Sequence, residues 1–322
     1  MGAMMSATSA AYNPAAPALL QIHQLSLTTA SHGVLRGVDM TIYGGERVAL
    51  LGPSGTGKSL LARALTGILP QDVECTGRIT LNGYDITQRH PALRPSAARV
   101  SMVDQDTATA LSPLHTLGQQ LMMVCAGAGQ KGCGIRWHAE SLLDQVGVSR
   151  SVMGRYPAEL SGGQRQRVCI ALALACNTSL LVADEPTSAL DAVSQQHVLN
   201  ALSGTVPQQK SKALFEMSLL NRATNDEESD SLAGAAIADE YQRSKALLFI
   251  THDLRAAQQL CDRALVLCDG KIVEDAPMAT LLAAPQHEVT QRMVTALQCE
   301  QQRLGQDASA ATTPLATALR TP

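Results

Sequence analysis

The sequence has few aromatic side chains and no excess of positive charge. Its 322 residues include five Tyr, two Phe and one Trp, and 25 Lys and Arg residues stand against 28 Asp and Glu residues, for a formal net charge of −3. Proteins bind single-stranded nucleic acid by stacking its bases on aromatic rings, and they hold the phosphate backbone with clustered cations. We therefore expect no nucleic-acid partner.

Long apolar runs and paired cysteines are absent as well. No run approaches the roughly 20 apolar residues that a membrane-spanning helix needs. The eight cysteines include no CxxC pair and several lie inside apolar segments, so we expect reduced thiols, most of them in the core. The first 18 residues contain no Lys or Arg, which argues against a secretory signal. These features predict a chain that stays in the cytoplasm.

The chain does contain short apolar segments that end in polar residues. "RVALLG", "SLLVADEP" and "ALLFITHD" are each followed by a helical pattern, which is typical of a mainly parallel sheet with functional groups at the carboxyl ends of its strands. Ahead of them, "LLQIHQLSLTT" and "GVDMTIYGGE" alternate as antiparallel strands do. The sequence predicts an α/β fold with a mainly parallel sheet and an antiparallel β edge.

Composition also suggests how the chain is divided. Residues 1–18 and 299–322 are rich in small residues and contain Pro, so we expect a disordered leader and a flexible C-terminal tail around a folded domain at 19–298. Helical spacing predicts a smaller helical subdomain at about 106–168. The polar segment at about 204–245 includes the acidic run "DEESD" and predicts a surface insertion.

A glycine-rich segment, "GPSGTGKS", matches the phosphate-binding P-loop pattern between a predicted strand and a predicted helix. Glycines allow consecutive backbone N–H groups to surround phosphate oxygens, a lysine adds a positive charge, and a hydroxyl can bind Mg²⁺. The segment predicts a site for a nucleoside triphosphate and Mg²⁺. Its residues are Gly52, Pro53, Ser54, Gly55, Thr56, Gly57, Lys58 and Ser59.

Acidic and imidazole groups follow two other predicted strands. In "LLVADEP", Asp184 is placed to hold Mg²⁺, and Glu185 to polarise an attacking water molecule. In "FITHD", His252 ends the third apolar strand, within plausible reach of a γ-phosphate. We therefore predict Glu185 and His252 as the catalytic residues.

A second glycine-rich segment, "LSGGQ", completes a recognisable series. Together with the P-loop, "ADEP", "SALD" and "THD" in this order, it resembles the ATP-binding subunits of ABC transporters over about residues 19–298. The resemblance implies the P-loop ATPase fold of that family, with ATP and Mg²⁺ as cofactors. It also implies a head-to-tail dimer in which this segment contacts the ATP of a second ATPase subunit. The residues concerned are Ser161, Gly162, Gly163 and Gln164.

The same resemblance assigns further residues. Gln105 in "MVDQD" is similar to the glutamine that links the Mg²⁺ site to the helical subdomain, and Asp191 in "SALD" is similar to the aspartate that contacts the opposite ATP site. Family members usually offer an aromatic ring to adenine ahead of the P-loop. Here that region reads "TTASHGVLRGV", so either His32 stacks on the base or adenine selectivity is weak.

More local likeness concerns the cargo. "ALSPLHTLGQQL" and "APQHEVTQRMVTAL" resemble the peptide and nickel importer subfamily, and within it "GILPQDVECTGRITLNG", "SPLHTL" and "HEVTQRMV" are most similar to the nickel-import ATPase. We expect an importer of nickel or a related metal complex, with oligopeptide or dipeptide import as the alternative and a soluble ABC-type ATPase as a less favoured one. The implied partners are a second ATPase subunit, two transmembrane permease subunits and an extracytoplasmic solute-binding protein. The implied location is the cytoplasmic face of the membrane, where the ATPase would be peripheral.

Overall fold

A six-stranded sheet forms the centre of the protein, as described by a computed structural model. The model describes residues 18–30, 32–105, 110–188, 190–204, 206 and 245–311. In spatial order β10-β9-β3-β8-β7-β6, β10 is antiparallel to β9 and all other neighbours are parallel. The strands are β3 (Arg47–Leu51), β6 (Val100–Val103), β7 (Leu180–Asp184), β8 (Ala246–Ile250), β9 (Arg263–Cys268) and β10 (Lys271–Pro277).

The strands before the P-loop form a separate antiparallel sheet. Its order is β2-β1-β4-β5, from β1 (Ala18–Thr28), β2 (Gly33–Tyr43), β4 (Glu74–Leu81) and β5 (Tyr84–Asp85). The predicted antiparallel pairing of the first two strands is confirmed. The expected β edge is instead a second layer, because these strands pair with each other and bury their apolar side chains against the face of the central sheet.

Eight α-helices complete the described part of the chain. They are α1 (Lys58–Thr66), α2 (Leu117–Gly127), α3 (Gly134–Gln145), α4 (Gly162–Ala175), α5 (Ala192–Ser203), α6 (Leu254–Leu260), α7 (Met278–Ala283) and α8 (Glu288–Ala311). Across the described ranges, none of them combines the length and apolar character needed to cross a membrane. Helices α2, α3 and the start of α4 occupy the segment predicted as a helical subdomain, and its division from the rest stays a prediction.

Side chains of the central strands alternate between two apolar layers. Leu51, Leu247 and Phe249 pack with helices α2 to α6, whereas Leu50 and Ile250 pack with α1 and the antiparallel sheet. Burial on both faces explains why these strands read as continuous apolar runs. Their carboxyl ends, which carry the predicted chemistry, meet at one edge of the sheet.

The structure differs from prediction at the C-terminus. Helix α8 continues to Ala311, whereas the sequence suggested a flexible tail from residue 299. Val294 and Leu297, which lie before residue 299, are buried, and Glu300, just past it, pairs with Arg255 of α6 at 3.4 Å. The predicted leader lies outside the described residues except for Ala18, and the predicted insertion lies outside them at 205 and 207–244.

Candidate functional site

The P-loop connects β3 to α1 at the carboxyl edge of the central sheet. Gly52 has φ 151°, and a Cβ there would lie 2.2 Å from the carbonyl oxygen of Leu267. Gly57, which precedes α1, has φ 99°, and a Cβ there would lie 2.8 Å from a methyl group of Val34. A side chain at either position would collide with a neighbouring strand, so both positions require glycine. The loop therefore packs closely against those strands, and its backbone N–H groups lie at the start of α1, where they can bind an anion.

Lys58 of the P-loop is largely buried, with 6 % of its surface exposed. Its Nζ donates hydrogen bonds to the carbonyl oxygens of Gly52 at 2.8 Å and Pro53 at 2.7 Å. Burial lowers the pKa of the ammonium, and the carboxylates of Glu185 and Asp184 oppose that shift. The loop therefore holds a cation whose charge is only partly compensated by protein groups.

Asp184 ends β7 and is buried, with 2 % exposure. Its Oδ1 atom has no hydrogen-bond partner among the described residues. Burial raises the pKa of the carboxyl; the Ser59 hydroxyl opposes the rise by hydrogen bonding, and the neighbouring Asp104 and Glu185 carboxylates add to it. The structure thus brings together Asp184 and Ser59, as the sequence predicted, and adds Asp104, which sequence reasoning did not single out.

Glu185 and His252 are brought into direct contact. His252 Nδ1 lies 2.9 Å from Glu185 Oε1, with the imidazole N–H as donor to the carboxylate. The Glu185 backbone has φ 45°, a left-handed conformation that few residues adopt, and its N–H donates to the carbonyl of Ile250 at 2.9 Å. The His252 side chain is 59 % exposed and the Glu185 side chain is 16 % exposed, so the imidazole lies on the solvent side of the carboxylate. The same carboxylate interacts electrostatically with Lys58 of the P-loop.

Gln105 is exposed and lies two residues beyond the end of β6. Since Val103 pairs with Ala183 in parallel register, this position is beside the acidic end of β7. Residues 106–109, which follow it, lie outside the described residues. The structure therefore places Gln105 on the correct strand edge, and its role as a metal ligand stays a prediction.

The second glycine-rich segment, "LSGGQ" at 160–164, is termed the signature segment, and its last three residues begin α4. Ser161 and Gln164 form a capping box, in which Ser161 Oγ accepts from the Gln164 N–H at 3.2 Å and Gln164 Oε1 accepts from the Ser161 N–H at 3.2 Å. Ser161 and Gly162 are exposed, and a Cβ on Gly162 would meet no atom within 4 Å. These hydrogen bonds all stay within the segment, so they do not join it to the P-loop of the same chain.

Asp191 begins α5 as its N-cap. Its Oδ1 accepts from the Ser194 N–H at 3.0 Å and its Oδ2 accepts from the Ser194 hydroxyl at 2.8 Å. The bond from the Ser194 backbone, followed by the bond from its side chain, lowers the pKa of the carboxyl. The residue is exposed, and in the described structure its side chain stabilises the start of its own helix.

His32 lies in the turn between β1 and β2, where the Thr29 N–H donates to its carbonyl at 3.0 Å. Val34, two residues later, lies against Gly57 of the P-loop. The histidine therefore lies in the turn just before β2, the strand whose Val34 borders the phosphate loop. Its contact with adenine stays a prediction.

Sequence reasoning also missed Gln166. This residue is 3 % exposed, and its Nε2 donates to the carbonyl oxygen of Pro186 at 2.6 Å. On α4 it shares a buried face with Cys169 and Ile170, which lie about one turn further along, and with Ala173, which lies about two turns further along. A single polar residue on such a face signals a buried hydrogen bond, and that signal was available in the sequence.

A glycine-rich loop at the carboxyl edge of a parallel sheet, with a buried lysine, a strand-end carboxylate and a helix start, defines a P-loop nucleoside triphosphatase. A sequence model of the family described as ABC transporter matches residues 35–188 of this chain. The chain is 35% identical to a probable D,D-dipeptide transport ATP-binding protein of Escherichia coli, with 87% of this chain and 78% of the relative covered. It is 34% identical to an oligopeptide transport ATP-binding protein of Bacillus subtilis, with 81% and 71% covered. The chain belongs to the ABC transporter ATP-binding proteins, and it is an ATPase whose hydrolysis is coupled to transport.

Solved structures agree on the fold. An ATP-binding subunit of an ABC transporter superposes with a TM-score of 0.62 at 21% identity, covering 87% of this chain and 99% of the other. A dimeric ATP-binding cassette in a post-hydrolysis state, bound to ADP and phosphate, superposes with a TM-score of 0.59 at 22% identity, covering 80% and 98%. At these identities the likeness shows the fold alone, and the predicted fold class is confirmed.

Proposed function

We propose that this ATPase powers an importer of small peptides. The observation that supports it best is the identity of 35% and 34%, over most of each chain, with proteins named for transport of D,D-dipeptides and oligopeptides. Neither name mentions nickel. The local likeness of "SPLHTL" and "HEVTQRMV" to nickel importers is therefore outweighed, and nickel becomes the alternative cargo.

In the proposed mechanism, the P-loop binds the phosphates of ATP. The backbone N–H groups at the start of α1 would donate to phosphate oxygens, and Lys58 would exchange its carbonyl partners on Gly52 and Pro53 for a phosphate. An anion beside Lys58 stabilises a charge that burial disfavours. A bound phosphate would therefore stabilise the charged form of Lys58, and the buried charge of Lys58 would in turn favour phosphate binding.

The residues around Asp184 fit a magnesium ion. A buried carboxylate oxygen without a hydrogen-bond partner, beside a serine hydroxyl, is a pair of hard oxygen ligands of the kind that Mg²⁺ prefers. Asp184 and Ser59 would hold the ion, with Gln105 as a further oxygen ligand. When bound, the ion neutralises charge that develops on the phosphates. Among the described residues no cluster of three or more His, Cys, Asp and Glu could hold a metal, and Mg²⁺ bound with ATP needs none, since phosphate and water supply its other ligands.

Glu185 is the proposed general base. Its carboxylate would accept a proton from the water that attacks the γ-phosphate, and His252, 2.9 Å away, would orient that carboxylate and contact the phosphate with its second ring nitrogen. The exposure of the imidazole allows it to move with the phosphate during the reaction. In this proposal Glu185 accepts the proton and His252 orients the Glu185 carboxylate.

The signature segment is proposed to serve a second ATPase subunit. Ser161 and Gln164 cap their own helix, which leaves the exposed start of α4 and the open space at Gly162 available to an outside anion. Gly163 would contribute a further N–H group, and Asp191 would contact the opposite site. ATP would thus lie between the P-loop of one subunit and the signature segment of the other.

Two transmembrane permease subunits and an extracytoplasmic solute-binding protein complete the proposed importer, with the ATPase on the cytoplasmic face of the membrane. The segment from Gln105 to Gln120 is proposed to transmit closure to the permease. Leu114 within it is 81 % exposed, as a contact residue for an apolar partner surface would be. Closure and reopening of the ATPase pair would then drive transport.

Cargo can be tested by uptake. Cells that lack this gene would receive the wild-type chain or its Glu185→Gln variant, and uptake of a labelled D,D-dipeptide, a labelled oligopeptide and trace nickel would be followed in parallel. We expect the wild type alone to restore peptide uptake and neither chain to change nickel uptake. Restoration of nickel uptake without peptide uptake would replace the proposal with the nickel alternative.

A further inference from the structure

The loop that carries Glu185 is fixed to elements on both sides. On the β8 side, the Glu185 N–H donates to Ile250 and the Glu185 carboxylate contacts His252. On the other side, the next residue, Pro186, accepts the hydrogen bond of 2.6 Å from Gln166 of α4. The catalytic loop is therefore connected both to the strand that ends in His252 and to the helix that begins with the signature segment.

The backbone of Glu185 requires such fixed points. A glutamate with φ 45° occupies a conformation that persists only where the surrounding structure enforces it. The proline ring fixes φ of Pro186, so a single free rotation, ψ of Pro186, separates its carbonyl from the peptide bond that follows Glu185. A donor that fixes the Pro186 carbonyl also restrains Glu185.

A second contact joins the same two regions. A Cβ on Gly163 would lie 3.3 Å from Leu190 Cδ2, so the Leu190 side chain rests on the first turn of α4. Gln166 is one turn further along this helix and is buried, which excludes water as a substitute partner for Pro186. The loop from Glu185 to Leu190 therefore rests on α4 at both of its ends.

We propose that Gln166 is a positioning residue for Glu185, acting through the Pro186 carbonyl. It holds the carboxylate in the orientation needed for attack on ATP, and it makes that orientation depend on the position of the signature helix. The inference rests on the proposed role of Glu185 as the base. Since the signature segment is proposed to contact the partner's ATP, Gln166 connects the two ATP sites of a dimer within one chain.

Gln166→Met tests this role, because methionine keeps the length and volume of glutamine and cannot donate a hydrogen bond. We expect kcat for ATP hydrolysis to fall by about 10- to 100-fold, the range that a misplaced catalytic group produces. The Kd for ATP should stay close to that of the wild type, whereas the Tm should fall by a few degrees because the buried Pro186 carbonyl is left without a donor. Gln196→Met is the matched control, since Gln196 is exposed on α5 and its side-chain amide donates to Asn200 of the same helix; this variant should hydrolyse ATP normally.

A double-mutant cycle with Glu185→Gln separates positioning from a general structural role. If Gln166 acts through Glu185, Gln166→Met should cause no further loss of the residual rate in the Glu185→Gln background. The proposal is overturned by a normal kcat in Gln166→Met, by a further loss of tenfold in the double variant, or by a kcat loss that comes with weaker ATP binding.

The same cycle distinguishes this inference from the proposed function. If Glu185→Gln hydrolyses ATP normally, Glu185 is not the base and the role of Gln166 is refuted with it. If Glu185→Gln is inactive while Gln166→Met is fully active, the base assignment stands and only the positioning role is refuted. Loss of activity in both single variants without additivity in the double variant supports both.

Discussion

The two glycine-rich segments of this ATPase are built in opposite ways. The P-loop is packed under neighbouring strands, and its lysine and the adjacent Asp184 are almost completely buried. The signature segment is exposed at the start of α4, and its Ser161 and Gln164 form hydrogen bonds with each other's backbone. The conformation of the P-loop thus depends on contacts with distant strands, whereas that of the signature segment depends on hydrogen bonds within its own helix cap.

Their electrostatic states differ as well. Burial lowers the pKa of Lys58 and raises that of Asp184, so both charged forms are disfavoured until a ligand compensates them. At the signature segment the side-chain oxygens of Ser161 and Gln164 already accept hydrogen bonds within the helix cap. The Ser161 hydroxyl proton, the Gln164 side-chain amide, the backbone N–H groups and the partial positive charge of the helix start remain as groups that an anion could use. The P-loop side thus holds buried charges that ATP and Mg²⁺ would compensate, whereas the signature side, in the proposed dimer, would offer a preformed surface to a second subunit.

The largest loss of ATP hydrolysis is expected from Glu185→Gln, on the buried P-loop side of the site, where the proton transfer is proposed to occur. Glu185→Gln removes the proton acceptor and keeps the shape of the side chain, so hydrolysis should fall by about 10²- to 10⁴-fold, the usual contribution of a general base. The signature side is untouched, so an ATP-bound dimer should accumulate and be visible by light scattering. His252→Ala is the comparison variant, and a smaller loss is expected because the carboxylate remains. Normal hydrolysis in Glu185→Gln would show that another group accepts the proton.

A smaller effect is expected from Gly162→Asp on the exposed side. A carboxylate at the start of α4 favours the helix itself, by about 0.3–1 kcal/mol, but repels the phosphates of a partner's ATP. Hydrolysis should fall at least about tenfold through loss of the ATP-induced dimer. ATP binding to a single chain and the Tm should not fall.

Gly162→Ala is the neutral control for this substitution, because the position has open space for a methyl group. It should keep most of the activity. If Gly162→Asp weakens ATP binding to the isolated chain, the signature segment contributes to the ATP site of its own subunit, and the contrast between the two segments is lost.

The local patterns of the sequence predicted the site better than they predicted the layers around it. "LLVADEP" and "ALLFITHD" are apolar runs that end in chemistry, and the parallel pairing of β7 with β8 places Asp184 beside Ile250, two residues before His252. That pairing follows from burial on both faces of the strands, which can be read from each segment alone.

Features that depend on distant partners were missed or misplaced. The hairpin of β9 and β10 is held by Arg263, which bonds to Asp275 and to Thr41 of β2, and neither contact has a local sequence signal. The antiparallel strands form a separate sheet, and α8 extends past its expected end through its contact with Arg255. The φ of 45° at Glu185 is likewise enforced by Ile250 and Pro186 contacts across the fold, not by the residue type.

The smallest expected effect concerns stability and is specific to the buried side. Because burial raises the pKa of Asp184, the folded chain binds this proton more tightly than the unfolded chain does. Stability therefore falls as pH rises from the unfolded pKa through the folded pKa, and at neutral pH the buried charge is a net cost. Asp184→Asn should raise the Tm of the nucleotide-free protein at pH 7 by about 2–4 °C, which corresponds to about 1 kcal/mol in a domain of this size.

The difference in Tm between Asp184→Asn and the wild type should disappear in acid, below both pKa values, where Asp184 is neutral in the folded and the unfolded chain. Asp191→Asn is the control of opposite sign: hydrogen bonds from Ser194 lower the pKa of Asp191, so its replacement should lower the Tm at pH 7 and lose this effect as pH falls. Differential scanning fluorimetry across pH would measure both variants. A lower Tm for Asp184→Asn at pH 7 would mean that Lys58 and Ser59 already compensate the carboxylate, and the stored charge that separates the P-loop side from the signature side would then not exist.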